Sequence, residues 1–434
     1  NLPGQATSVD LSPDKALIAA ATNVGTVDVH GIAGGAAKFQ VVGHTGSATA
    51  VAFHPQGKQL ASVGEDGTLR IWNIATAPKL LAGHAKSVTA VSVSPTGKLL
   101  ATGSADNSVR LWNMANGAAV RTLSGHTAAI TGLSWSADET RLASSSADKT
   151  ARLWNVADGK QLAQFAGHAA AVNDVALSPN GATLVTAAAD KLIKVWNVAE
   201  VIKAATEKKE GNADAANTVR DFAGHTKRVN SVLVTANGAT AVSGSGDGTI
   251  RFWNMADGKT ARNINTGTPV HDVAISPDGK LLASAGADKT IRIYNSADGK
   301  LVTSLTGHAQ PVAGVAFSRD NSRIIGAAAD GIVGIWEAGG RLLEMRKLAG
   351  VQPSAVSFGL DNQTLVLGGT DNSVKLMPIA LSQMIAASEM PLTGVVWTPD
   401  GSSLLTGGAD KTVKLWNPAN RQTIRAFPGN TAAV

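Results

Sequence analysis

An all-β fold made of about ten copies of one four-stranded sheet is predicted by three features of the 434-residue sequence. First, an aromatic residue followed by Asn recurs at Trp72, Trp112, Trp154, Trp196, Trp253, Tyr294 and Trp416, with Trp336-Glu337 and weaker copies at His30 and Met377 completing the series. The ten positions are spaced by 42, 40, 42, 42, 57, 41, 42, 41 and 39 residues, a period that marks a repeat architecture. Second, a Gly-His pair stands at His44, His84, His126, His168, His225 and His308, in each case with the His 28 residues before the aromatic. Third, 44% of residues are hydrophobic but only 4% aromatic, and 46 are Gly, so the core must use small and β-branched side chains.

Within a repeat the elements follow in a fixed order. In the third copy, Ser87 to Val93 alternates apolar and polar residues, and Ser94-Pro95-Thr96-Gly97 turns the chain. Leu99 to Gly103 is a second strand, Ala105-Asp106-Asn107 a second turn, and Ser108 to Trp112 a third strand. Asn113 to Gly117 turns again before Ala118 to Leu123. Such a sheet is apolar on both faces, so it is stable only between copies of itself. The first copy opens with Thr7 to Leu11 and the tenth closes with Gln422 to Phe427, which predicts sheets of contiguous sequence. One insertion, at about 198–218, falls between strands three and four of the fifth copy; the Ala-rich, charged run Ala199 to Gly211 predicts a short helix ended by glycine.

Several classes drop out on composition. Without Cys there is no disulfide framework, thiolate metal site or cysteine nucleophile. No run of 18 apolar residues is available to span a membrane. The start at Asn1-Leu2-Pro3 reads as a processed chain or a fragment, soluble and either cytoplasmic or exported. The net charge of +6 is spread thinly and points only weakly to acidic partners.

The Gly-His and Trp-Asn markers, at this period and over essentially the whole chain, resemble the WD-repeat β-propeller family. Asn takes the place of the family's Asp in seven copies, and no Trp-Asp pair occurs. The resemblance implies a radial arrangement of four-stranded antiparallel blades. Ten whole repeats with no linker predict residues 1–434 as a single domain and a single ten-bladed ring, with a seven- or eight-bladed ring plus extra blades as the alternative.

Recurring sets of His, Ser or Thr, and Asp have the composition of a nucleophilic triad. They are His44, Ser62, Asp66; His84, Thr102, Asp106; His126, Ser144, Asp148; His168, Thr186, Asp190; and His225, Ser243, Asp247. Five interchangeable copies make poor sense for catalysis. The resemblance implies instead a structural chain in which the indoles of Trp72, Trp112, Trp154, Trp196 and Trp253 bond the hydroxyl, the hydroxyl the imidazole, and the imidazole the carboxylate. No catalytic, cofactor or metal site is expected, and His30, His54 and His271 read as scattered surface or loop histidines. Lys149, Lys191, Lys289 and Lys411 follow the Asp of the second-to-third-strand turn, while Lys86, Lys227 and Arg228 follow Gly-His. The resemblance places both loop types on one face, a candidate docking surface for an acidic protein or peptide. One Tyr and no aromatic interleaving disfavour nucleic acid. The expected function is a non-enzymatic interaction scaffold. The rival readings are a small-ligand or hydrolytic protein using the channel, and a sensor or targeting module of a larger polypeptide.

Overall fold

A computed structural model describes residues 2–35, 37–74, 79–207, 218–348, 351–428 and 432. The alternating segments form antiparallel sheets, all but one of those described four-stranded; Leu342–Lys347 also pairs with Ala37–Val42 at Met345–Val42 and Arg346–Val41. In the third repeat, Val88–Val93, Leu99–Ser104, Val109–Asn113 and Ala119–Leu123 pair in chain order, with Thr102 opposite both Val91 and Arg110. Each sheet takes the name of its aromatic or equivalent residue, and its first strand is the inner strand.

Contacts divide the chain into two compact units, where a single 1–434 domain with one ring of ten was expected. The second unit, Pro78–Arg341 with Leu348–Met377, holds the inner strands Val88–Val93, Ile130–Trp135, Val172–Leu177, Val229–Val234, Val270–Ile275, Val312–Phe317 and Pro353–Phe358. Each neighbours the next, and Pro353–Phe358 neighbours Val88–Val93. The core lies between successive sheets: Leu111 and Leu123 of the Trp112 sheet meet Ile130, Leu142 and Trp154 of the following one. In the first unit, Asn1–Ala77 with Leu342–Lys347 and Pro378–Val434, inner strand Ala48–Phe53 stands between Ala6–Leu11 and Leu392–Trp397.

The expectation that every sheet is contiguous in sequence is corrected twice. The outer strand of the Trp72 sheet is Leu381–Ala386, and that of the Met377 sheet is Lys79–Leu81. The reason is that outer strands are chemically alike. Leu81 fills the apolar site between Val374, Leu100 and Trp112, and Ile385 fills the corresponding site beside Leu69 and Leu404, so the repeat pattern does not say which strand goes where.

Side chains on the inner strands also tie neighbours together. In the second unit Thr89, Thr131, Asn173, Asn230 and His271 each donate to the first carbonyl of the next inner strand, Ile130, Val172, Val229, Val270 and Val312, at 2.6–2.9 Å. Ser354 donates to Val88 O, while Ala313 has nothing to donate. The insertion forms helix α1, Val198–Glu207, with Asn197 Oδ1 accepting from Ala199 N and Glu200 N as its cap. Val198 and Val201 pack against Phe165 and Trp196. The expected glycine stop at Gly211 lies outside the described residues.

Candidate functional site

All five sequence sets are brought together by the sheet register. Ser62, for example, lies opposite Arg70 two residues from Trp72, which brings the indole over the hydroxyl. Trp72 Nε1 donates to Ser62 Oγ at 2.9 Å, Ser62 is 2.8 Å from His44 Nε2, and His44 Nδ1 is 2.9 Å from Asp66. The same chain runs Trp112–Thr102–His84–Asp106, Trp154–Ser144–His126–Asp148, Trp196–Thr186–His168–Asp190 and Trp253–Ser243–His225–Asp247, with every link between 2.7 and 2.9 Å. The indole can only donate, so the hydroxyl spends its own hydrogen on Nε2, and the imidazole is neutral with its hydrogen on Nδ1 facing the carboxylate. Burial lowers the pKa of His44, His84, His126 and His225 against the upward pull of their aspartates. For Asp66, Asp106 and Asp148 burial acts upward, but hydrogen bonds from histidine, hydroxyl and backbone donors outweigh it and hold the carboxyls well below the usual range. Asp247 is lowered to about 2 by the same contest.

The Gly of Gly-His has a steric cause. A Cβ on Gly83 would stand 3.0 Å from Arg110 Nη1 and 3.1 Å from the Trp112 ring. Two sheets depart from the pattern. With Gly326 in the hydroxyl position, neither ring nitrogen of His308 has a hydrogen-bond partner among the described residues, and Asp330 lies 3.5 Å away. In the Trp416 sheet, Trp416 Nε1 donates to Thr406 Oγ1 at 2.8 Å and Ser388 Oγ to Asp410 at 3.0 Å, with Ser388 in place of histidine. Sequence reasoning missed this set because it looked for Gly-His; the ten-residue step from Thr406 to Trp416, shared with Ser62 and Trp72, was the available signal.

The candidate cations are all exposed. In the second unit, Lys149, Lys191 and Lys289 sit in the second-to-third-strand turns with φ of 70°, 75° and 70°. Lys86, Lys227 and Arg228 lie just after the Gly-His pairs. His225 and Thr226 N both bond Asp247, so these two loop types meet at one end of each sheet. Lys411 takes the turn position, φ 63°, in the first unit.

A feature that sequence reasoning did not find lies among the second unit's inner strands. A cavity of about 210 Å³ is lined there by Asp174, Asp272, His271, Asn230, Ser231 and Thr131, among others. The reading of His271 as a surface or loop residue is corrected: His271 is half-buried on an inner strand and Nδ1 donates to Val312 O. His30 is also on a strand, and His54 packs edge-on to Trp397. Asp174 accepts from Val175 N and Val232 N, both at 2.8 Å; Asp272 accepts from Ser231 Oγ at 2.9 Å and Val315 N at 3.0 Å. Desolvation in this narrow space, only partly offset by the Val232 N–H and reinforced by Asp272, pushes Asp174 up to about 7. Asp272 is raised as well, again chiefly by desolvation. Each carboxylate comes from a different repeat, so no local motif announces the pair.

Among the described residues no cluster of three or more His, Asp or Glu could hold a metal ion, and no helix is long and apolar enough to cross a membrane. The family model "WD domain, G-beta repeat" matches eight segments, 37–73, 76–113, 117–155, 159–197, 216–254, 260–295, 299–337 and 382–417, together more than half of the chain. A relative, "Target of rapamycin complex subunit wat1" of Schizosaccharomyces pombe, is 41% identical over 66 residues, 15% of this chain and 21% of the relative. The chain therefore covers far less than two thirds of that protein.

Proposed function

The chain belongs to the WD-repeat family, and on that footing we propose that it is a non-catalytic scaffold that docks acidic protein or peptide partners on the loop ends of its second unit. The observation that carries this reading is the set of six exposed cations, Lys86, Lys149, Lys191, Lys227, Arg228 and Lys289, on loops at the Gly-His ends of their sheets. The scaffold itself is read as a closed ring of seven blades, in place of the ring of ten. The cyclic succession of inner strands and the Ser354 bond to Val88 O support that closure, and seven is within the usual range of blade numbers. The fission-yeast relative is by name a subunit of a larger complex, which favours the same kind of assembling role here.

A hydrolytic reading fails on access. Ser62, Thr102, Ser144, Thr186 and Ser243 are fully buried, and each hydroxyl is held between an indole and an imidazole, so none can meet a substrate. A small-ligand reading has one observation in its favour, the cavity with Asp174 and Asp272. Its chemistry suits a small cationic group such as an ammonium or guanidinium.

The test is affinity capture with the intact chain and with a Lys149→Glu/Lys191→Glu/Lys289→Glu variant, read by quantitative mass spectrometry. The scaffold reading expects an acidic partner recovered at least tenfold less by the variant, and less by the wild type as salt rises. Equal recovery removes the cationic surface from the account. Calorimetric binding of free arginine, abolished by Asp174→Asn, favours the cavity instead.

A further inference from the structure

The third strand of most sheets carries an Arg or Lys two residues before the aromatic, and what holds that cation follows from the histidine. Where the histidine is missing, the turn aspartate pairs with the cation: Asp288 with Arg292 at 2.5 Å, Asp371 with Lys375 at 2.5 Å and Asp410 with Lys414 at 3.2 Å. Where the histidine is present, it takes the carboxylate. His84, His126 and His225 hold Asp106, Asp148 and Asp247 at 2.7–2.9 Å. Arg110, Arg152 and Arg251 of those sheets are left with no carboxylate at ion-pair distance among the described residues, and the Nε of each is buried with no hydrogen-bond partner there. Arg152 Nη1 finds a neutral acceptor in Gln161 Oε1. The Trp196 sheet also has its histidine, but Asp221 lies opposite Lys194 on the outer strand and pairs with it at 2.8 Å. Opposite Arg110, Arg152 and Arg251 stand Thr122, Gln164 and Asn263, none of them an acid. In the first unit Arg70 reaches Asp66 only at 3.4 Å and places Nη1 on Leu343 O.

The three guanidiniums lie at the surface that bears the exposed lysines. A Cβ on Gly83, Gly125 or Gly224 would stand 3.0, 2.7 or 2.8 Å from Nη1 of Arg110, Arg152 or Arg251, and all three glycines are exposed. Lys86, Lys149 and the adjacent Lys227 and Arg228 stand on loops of the same three sheets, and the Trp196 sheet between them adds Lys191. The inner strands of these four sheets follow one another directly. Their aspartates at this end are 5–11% exposed and engaged with histidine, so little negative charge faces outward. The Trp336 sheet instead has Gly331 and Gly334 at the two cation positions, and the Met377 sheet has Asn372. Burial lowers the pKa of Arg152, with Asp148 pulling the other way, so an arriving carboxylate relieves a partly desolvated charge. A guanidinium meets a carboxylate through two parallel N–H donors, which an ammonium cannot do.

We propose, on the footing of the scaffold reading, that Arg110, Arg152 and Arg251 are the groups that recognise carboxylates of the acidic partner, which lies as an extended segment over the Trp112, Trp154, Trp196 and Trp253 sheets. The lysines draw the segment in, and the guanidinium forks fix where its carboxylates sit. The histidine then has a second task besides satisfying the buried hydroxyl: it keeps the aspartate off the arginine and leaves the fork open to the partner.

Fluorescence anisotropy of a labelled peptide of twelve glutamates with the intact chain tests this. Arg110→Lys and Arg152→Lys keep the charge and the aliphatic stem but lose the fork, and each is expected to weaken binding at least fivefold with unchanged circular dichroism. Arg292→Lys, at the paired position of the Tyr294 sheet, and Lys300→Gln, exposed at the opposite end of that sheet, are expected to leave binding within twofold of wild type. Binding lost in Lys149→Glu/Lys191→Glu/Lys289→Glu but unchanged in both arginine variants overturns the role of the guanidiniums and leaves the cationic docking surface standing. No binding by the wild type, equal binding by every variant, or tighter binding of a twelve-residue oligothymidylate than of the peptide removes the acidic-peptide surface as well.

Discussion

Replacing Asp174 by Asn should change how stability depends on pH, and the size of the change follows from the cavity. A carboxyl raised to about 7 in the folded chain binds its proton more tightly there than in the unfolded chain, where the ordinary value is 3.8. Above 3.8 the folded state thus carries more protons than the unfolded state, and stability falls as pH rises until the folded-state value is passed. At pH 8 the full gap of about three pH units opposes folding by roughly 4 kcal/mol at ~1.4 kcal/mol each. At pH 5 only the part between 3.8 and 5 counts, roughly 2 kcal/mol. Asn does not titrate, but its single oxygen cannot accept from both Val175 N and Val232 N, a pH-independent cost of about 1–3 kcal/mol. The diagnostic quantity is the double difference: relative to wild type, Asp174→Asn should gain about 2–3 kcal/mol between pH 5 and pH 8. Urea unfolding followed by the fluorescence of the nine tryptophans measures it; titrations away from the cavity cancel between the two proteins, and the coupled titration of Asp272 is part of the difference. Parallel curves, with a double difference under about 0.5 kcal/mol, would refute the account of Asp174 as a carboxyl strained by Asp272 and by desolvation.

Two other outcomes are expected. Ser144→Ala should cost about 2–4 kcal/mol in urea unfolding, because Trp154 Nε1 and His126 Nε2 both lose their buried partner; Ser144→Thr should be far milder, since Thr102 and Thr186 do the same task in sister sheets. Lys149→Gly should stabilise by roughly 0.5–1 kcal/mol, relieving a φ of 70° that costs a side chain about 1–2 kcal/mol, whereas Lys149→Val should destabilise.

What could be read from the sequence was whatever recurs at constant spacing within one repeat. The steps of 28 residues from His126 to Trp154 and ten from Ser144 to Trp154 are fixed by pairing inside a single sheet, so a linear pattern carries them. Relations between repeats are different in kind. Asp174 and Asp272 face the same cavity from strands almost a hundred residues apart, and nothing near either residue distinguishes it from an ordinary strand aspartate. The exchange of Lys79–Leu81 with Leu381–Ala386 was hidden because Leu81 and Ile385 present apolar side chains of the same size to the same kind of site. The division into two units was hidden for a related reason: similar apolar faces recur on every copy, so the repeat pattern does not say which copy neighbours which.

That exchange of outer strands sets a timetable for biosynthesis. The Trp72 sheet has three strands as soon as Asn73 leaves the ribosome, yet its fourth, Leu381–Ala386, is made some 308 residues later. At translation rates of about 5–20 residues per second, the unpaired edge of Thr68–Asn73 waits roughly 15 to 60 s for its partner. During that interval any other nascent outer strand with the same alternation competes for the edge, so slow elongation or an early stop before Leu381 would leave an adhesive strand for chaperones to guard.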